Sequence, residues 1–305
     1  MPGRVGAALT QIASGLHFET QRYVDFYKWV QGPAAGLNQR FAATVFLYEN
    51  ARHDPELLDR IISFWSGDPI QVGEIKRALR QLGQRVTCAI EPAGVRALAY
   101  QRFRFAARLM MTAGFAGWAL LFDEVDLVAR YSLPQRARSY AELARWTGNL
   151  KGESYPGITS VLAITSAYEN EILVDRNDRE AVPNKMRLRP AAADQLVASQ
   201  AERGMRQIGK ALRLTPPTLA LVDETHEKVR ALHGQAYGWS PPPAGSADER
   251  LASTRMREYV RRWINEWDLK RLYPDYQPDI EVSDLDLSYT EDAELESHDE
   301  VASSQ

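Results

Sequence analysis

Two carboxylates, Asp123 and Glu124, stand side by side at the end of an apolar run, Trp118-Ala119-Leu120-Leu121-Phe122. Adjacent acids of this kind suit phosphate hydrolysis: one holds a magnesium ion through water, and the other polarises the water that attacks phosphorus. Adjacency matters because successive residues of an extended chain point to opposite sides, so one acid can face the metal and its neighbour the nucleophile. Two hydroxyls, Thr165 and Ser166, end a second apolar run and suit the orienting of that water. Arg130, Arg187 and Arg189 are candidates for an arginine contact, since a planar guanidinium fork matches spread phosphoryl charge. The competing reading is plainer: a strand capped by two solvated acids, another ended by small hydroxyls, and surface arginines.

Other chemistries find little support. His17, His53, His226, His233 and His298 are dispersed without HExxH or Cys/His spacing; His226 and His233, seven apart on one helix face, are expected to pack. Cys88 is the single cysteine, which excludes a disulfide framework and a cysteine-based metal site and fits a reducing cytoplasm. Neither a G-x-S-x-G elbow nor a GxGxxG fingerprint occurs. No GKS or GKT is present, and Gly3-Arg4-Val5-Gly6 lacks the lysine and hydroxyl of a phosphate-binding loop.

The acids need an element to aim them. Residues 118–122, entered through Gly114 and Gly117, read as a short strand buried on both faces of a parallel sheet, whose carboxyl end is where open α/β sheets bind ligands. A helix follows from Pro134 to about Asn149, carrying Tyr140, Leu143 and Trp146 on one side, and then a second strand over residues 158–166. Strand, helix, strand at these spacings is a βαβ unit. The acid pair then matches the Walker B element of P-loop NTPases, and Thr165 or Ser166 takes the place of the sensor 1 residue of AAA-type ATPases. Leu221-Val222-Asp223-Glu224 imitates the acidic strand end but continues at helical spacing through Val229 and His233, so its acids belong to a helix first turn.

Around this unit the chain reads as helical. Stripes at Tyr23, Phe26, Tyr27, Val30 and at Leu37, Phe41, Val45, Tyr48 predict two helices, and Asp54-Pro55 predicts the capped start of a third. A helix over 72–82, a short strand over 85–90 and a long helix from Pro92 to Ala113 follow; the arginines of the long helix scatter and read as a solvated face. Residues 167–190 look irregular and charged, and helices return over 191–213, 218–237 and 246–272, with Pro241-Pro242-Pro243 as a linker. The expected divisions are a poorly ordered N-terminus (1–18), a core with a large helical insertion (19–190), a helical carboxyl region (191–272) and an acidic, disordered tail (273–305).

The net charge is −3, yet residues 275–300 hold eleven acids and neither lysine nor arginine follows Arg271, which leaves a moderately basic body of +8. Such a body permits contact with nucleic acid through its basic helices, including the last one with Arg255, Arg257, Arg261 and Arg262. The tail reads either as a solubilising extension or as a tethered competitor for phosphate-bearing ligands. No run approaches the ~20 apolar residues that span a bilayer, and the expectation is a cytoplasmic protein.

With these pieces placed, the sequence resembles the bacterial ATP-binding proteins of the BREX (bacteriophage exclusion) type. The resemblance rests on residues 114–126, Arg138-Ser139-Tyr140, the run ending Thr165-Ser166, Arg187-Leu188 before a proline, and His233-Gly234-Gln235-Ala236-Tyr237-Gly238-Trp239. It implies an α/β, AAA-like P-loop NTPase core that uses ATP and Mg²⁺ beside other defence proteins or copies of itself. Asp123 would be the metal residue through water, Glu124 the base, Thr165 or Ser166 the sensor, and Arg187 or Arg130 the arginine contact. Members that bind ATP carry an upstream P-loop, which here would lie before Met1. The expectation is therefore an incomplete core: the carboxyl portion of a longer ATPase, or a degenerate member. The alternative function is a non-hydrolysing module that binds protein or DNA.

Overall fold

The computed structural model describes residues 2–84, 90–243, 255–275 and 289–291. The chain forms two compact units, one of residues 1–209 with 291–305 and one of residues 210–290.

The first unit opens with six helices: α1 (Pro2–Ser14), α2 (Gln21–Gln31), α3 (Gln39–Asn50), α4 (Pro55–Ser66), α5 (Val72–Gln81) and α6 (Val95–Thr112). Their starts are written locally. The Thr20 hydroxyl accepts from the Tyr23 N–H, and the Asp54 carboxylate accepts from the Leu57 N–H with Pro55 at the first helical position, as the sequence predicts. Apolar stripes meet in an aromatic core where Phe105 of α6 lies 5.7 Å from Phe26, 5.1 Å from Phe41 and 5.2 Å from Trp65, ring centre to ring centre. The indole N–H of Trp65 donates to the buried Thr44 hydroxyl at 2.9 Å, so the polar end of the ring is satisfied.

Two expectations change in this region. Residues 2–14, expected to be poorly ordered, form α1, and Leu9, Ile12 and Ala13 join the core. Weak periodicity in a segment rich in small residues conceals a face that only its partners α4 and α6 reveal. The arginines of α6 are not simply a solvated face. Arg102 donates to the carbonyls of Phe64 and Asp68 at the end of α4, and Arg104 donates to the Ala35 carbonyl. Guanidinium groups here satisfy carbonyls that helix ends leave open. The strand expected at 85–90 lies outside the described residues, Ile90 apart.

Next come β1 (Trp118–Phe122), a 3₁₀ segment (Val125–Arg130), α7 (Leu133–Trp146) and β2 (Ile158–Leu162). The strands pair in parallel, with Trp118 opposite Ile158 and Phe122 opposite Leu162, so the βαβ unit forms as the spacing requires. Close approach sets its start. The Trp118 N–H donates to the Gly157 carbonyl at 2.7 Å, and a Cβ at Gly117 would fall 2.5 Å from that same oxygen. The inner face carries Trp118 stacked on Phe103 of α6, and Phe122 against Trp146 of α7.

The expectation that β1 is buried on both faces fails. Burial alternates along both strands, and Leu121 and Val161, register partners on the outer face, are 78% and 55% exposed. A continuous apolar run is what a two-sided strand requires, but among the described residues the sheet has two strands and nothing covers its second face.

The chain then forms a π-helical segment (Glu169–Asp175), α8 (Asp178–Arg187) and α9 (Ala192–Ile208), so residues 167–190 are more ordered than their charge suggested. Helix α9 belongs to the first unit, whereas the division expected from sequence places it in the carboxyl region. Small residues decide this. Ala137, Ala141 and Ala144 of α7 face Ala198, Ala201 and Gly204 of α9, all buried, and a Cβ at Gly204 would fall 1.8 Å from the Tyr140 carbonyl oxygen.

The second unit contains α10 (Leu219–Tyr237) and α11 (Met256–Leu272), which bury Val222, Trp263 and Trp267. Asp223 and Glu224 are helical as expected but are the fifth and sixth residues of α10, past the first turn that the sequence suggested, and Lys228 bonds Glu224 at 2.6 Å. Residues 244–254, which cover the end of the linker and the expected start of the last helix, lie outside the described residues, as does the tail except for 273–275 and 289–291. Among the described residues no helix is long and apolar enough to cross a membrane.

Candidate functional site

Asp123 and Glu124 follow β1 directly, at the carboxyl end of a parallel strand, and both are exposed. Glu124 has φ 54° and ψ 40°, the left-handed region that a side chain other than glycine enters at a cost of about 1–3 kcal/mol. The turn is held by its neighbours. The Glu124 N–H bonds the Asp123 carboxylate at 2.9 Å, the Ala163 N–H donates to Phe122 O at 2.8 Å, and the Val125 N–H donates to Ala163 O at 3.1 Å. The chain leaving β2 is thereby clasped to the chain leaving β1 as far as Val125, but β2 ends at Leu162, so Thr165 and Ser166, expected to end the strand, lie three and four residues beyond it. Ser166 is exposed and Thr165 half-buried.

The acids are thus presented at the mouth of the βαβ unit by a fixed turn, with one Asp123 oxygen committed to the backbone. Arg130 closes the 3₁₀ segment that starts at Val125. Arg187 is placed elsewhere in the chain's bonding: at the end of α8 it pairs with Glu202 of α9 and bonds Asn184. Arg189 lies 4.0 Å from Asp194.

No group of three or more histidine, cysteine or acidic side chains that could hold a metal occurs among the described residues. An exposed aspartate at a strand end does fit a magnesium ion that keeps most of its water, because that ion dehydrates reluctantly and takes few protein ligands. The residues present therefore suit the metal-facing half of a nucleotide site. The sequence contains no GKS or GKT.

Two constellations escaped the sequence reading. The first is a buried polar cluster on α7 and α8. Arg136 pairs with Asp178 at 2.9 Å, their side chains 4% and 1% exposed. The Tyr140 hydroxyl donates to the same Asp178 oxygen at 2.9 Å and, having spent its proton there, accepts from Tyr168 at 2.8 Å. Burial pushes both phenols well above their ordinary range, so they remain protonated donors. Burial also raises the Asp178 carboxyl against the pull of Arg136, and its second oxygen has no hydrogen bond. Arg138-Ser139-Tyr140 was visible as a sequence motif, but nothing in it announces partners 28 and 38 positions away.

The second is in the other unit. The Trp239 indole donates to His233 Nδ1 at 3.0 Å, and His233 Nε2 lies 3.1 Å from Asp268. An Nδ1 that accepts leaves Nε2 to donate to the aspartate, so both ring nitrogens are committed and His233 is a packing residue, as its helical spacing suggested. His226 packs against Trp263 and Trp267, which fits the same expectation.

Fold and site together define a helix-rich α/β protein with an acidic pair at the carboxyl end of a parallel strand. The family model for the BREX system ATP-binding protein BrxC/D matches residues 34–275, so the chain belongs to that family. Its role is accordingly a BREX-related one. No curated protein matches the chain, and no solved structure does.

Proposed function

We propose that the chain is an ATP-binding, ATPase-type component of a bacteriophage-exclusion system whose acidic pair works together with a P-loop that these 305 residues do not contain. The observation that carries this reading is the position of Asp123 and Glu124: successive residues at the end of a parallel strand, fixed by a strained turn and clasped to the end of β2. Strain of this kind persists where surrounding structure over-determines it and concentrates at functional sites. The family description, an ATP-binding protein, supports the choice of ligand.

In this reading Asp123 holds Mg²⁺ through water, and Glu124 accepts a hydrogen bond from the attacking water and orients it. Thr165 or Ser166, on the chain leaving β2, positions the same water. Arg130, at the end of the 3₁₀ segment that follows the turn, or Arg187, contacts the phosphates or a neighbouring subunit's nucleotide. When bound, the magnesium nucleotide supplies the transferable phosphoryl group. Other proteins of the system are the expected partners, and self-association is a further expectation.

A second reading, a non-hydrolysing interaction module, is favoured by the uncovered sheet face at Leu121 and Val161. Magnesium-dependent ATP hydrolysis by the chain together with a P-loop-bearing extension or partner separates the two. Turnover is expected to fall by at least about a hundredfold in Glu124→Gln while nucleotide binding persists, the scale of a lost general base. Turnover indifferent to that substitution removes Glu124 from the chemistry, and partner binding without any nucleotide effect selects the second reading.

A further inference from the structure

The buried pair Arg136–Asp178 has a third member from the acidic carboxyl segment. Glu291 Oε1 lies 2.7 Å from Arg136 Nη1 and 3.0 Å from Arg176 Nη2, so two guanidinium groups converge on a single carboxylate oxygen. Both arginines are aimed by the main chain: Arg136 donates to the Tyr131 carbonyl and Arg176 to the Ala129 carbonyl, each at 2.7 Å. These carbonyls flank the approach to α7, and they fix where the remaining N–H groups point. The Glu291 side chain itself is 53% exposed, and its carboxyl is held below the usual range chiefly by the hydrogen bond from Arg136.

We propose that Arg136 and Arg176 form an oxyanion site for a terminal phosphate group, and that Glu291 occupies it as a tethered stand-in. The site is built before the tail arrives. Arg136 is held from behind by Asp178 and from the side by Tyr131, positions that do not depend on Glu291. Glu291 is the anion that both guanidinium groups share, and its oxygen marks where the two forks meet. Two planar forks converging from different elements match the several oxygens of a phosphate better than the one oxygen Glu291 offers.

The occupant is separated from its partners by 155 and 115 positions. Because Glu291 belongs to the same chain, its binding is intramolecular and competes with any free anion for the same two arginines. The acidic segment would then act as an internal brake on phosphate binding. This inference stands apart from the assignment of Asp123 and Glu124, since none of its residues belongs to that pair.

Equilibrium dialysis with radiolabelled inorganic phosphate, in parallel with ATP, on the full chain tests it. Glu291→Gln is expected to tighten phosphate binding by on the order of tenfold, and adding Arg176→Gln is expected to abolish the gain. Arg176 is the arginine to change, since Arg136 also supports Asp178 and its loss endangers folding; circular dichroism confirms that each variant is folded. A gain seen with phosphate and ATP alike identifies the phosphate group itself as the ligand, and a gain confined to ATP identifies the terminal phosphate of a nucleotide. Binding unchanged by Glu291→Gln, or a gain that survives Arg176→Gln, overturns the proposal.

Discussion

The two acidic centres of the first unit are treated by the fold in opposite ways. Asp178 is wholly enclosed, supported by Arg136 and Tyr140, with Tyr168 bonded behind. Asp123 and Glu124 are exposed, Glu124 sits in the left-handed region, the Asp123 carboxylate accepts from the Glu124 N–H, and the Glu124 carbonyl accepts from the Leu127 N–H at 3.0 Å. Burial explains the first arrangement, because an enclosed carboxylate survives only with charge and hydrogen-bond partners around it. Packing does not explain the second. An exposed acid in a strained backbone contributes nothing to the core, so its position is understood through what it meets from outside. The polar cluster of Arg136, Tyr140 and Asp178 is therefore architectural on its buried side, while the sparsely bonded turn is the better candidate for chemistry.

Stability measurements can break that comparison. The largest effect is expected from Arg136→Ala, which leaves Asp178 buried and uncompensated; urea unfolding should show a loss of about 3–5 kcal/mol. A loss below about 1 kcal/mol would mean that Asp178 takes up a proton at little cost and that the pair is not structural. Tyr140→Phe removes the donor to Asp178 and the acceptor for Tyr168, and a loss of about 1–3 kcal/mol is expected. The acidic turn should respond in the opposite direction. Glu124→Gly relieves the left-handed backbone and is expected to stabilise by roughly 1 kcal/mol, partly offset by the entropy of a more flexible unfolded chain. Destabilisation instead would show that the Glu124 side chain does support the fold. The smallest effect is expected on the open sheet face: Leu121→Ser should change stability by no more than about 0.5 kcal/mol, as for other exposed positions. A clear loss there would reveal that the face is covered in the working protein.

Much of the βαβ unit was legible in the sequence, because an apolar run of strand length bounded by glycines and ended by acids has few other uses. The helix starts at Thr20 and Asp54 were legible as well, for capping is a contact between near neighbours. Less could be read of α1 and α9. Their small residues carry weak hydrophobic contrast, and their burial depends on which helix lies opposite, as Gly204 against Tyr140 shows. The acidic pair was found and its strain was not, since φ at Glu124 has no signature in residue type. The arginine pair with Glu291 left no trace at all among regular spacings.

By itself, then, the order of residues determined the parallel strand pair, the helix carrying Tyr140 and Trp146, and the adjacency of Asp123 and Glu124. These are features of a few consecutive residues, governed by backbone geometry and by periodicities of two and 3.6. Only the tertiary structure decided that the outer face of the sheet is open, that α9 belongs beside α7, and that Glu291 lies between Arg136 and Arg176. Such contacts join positions tens to more than a hundred apart, and complementary charge or small size in a sequence identifies what can meet without fixing what does.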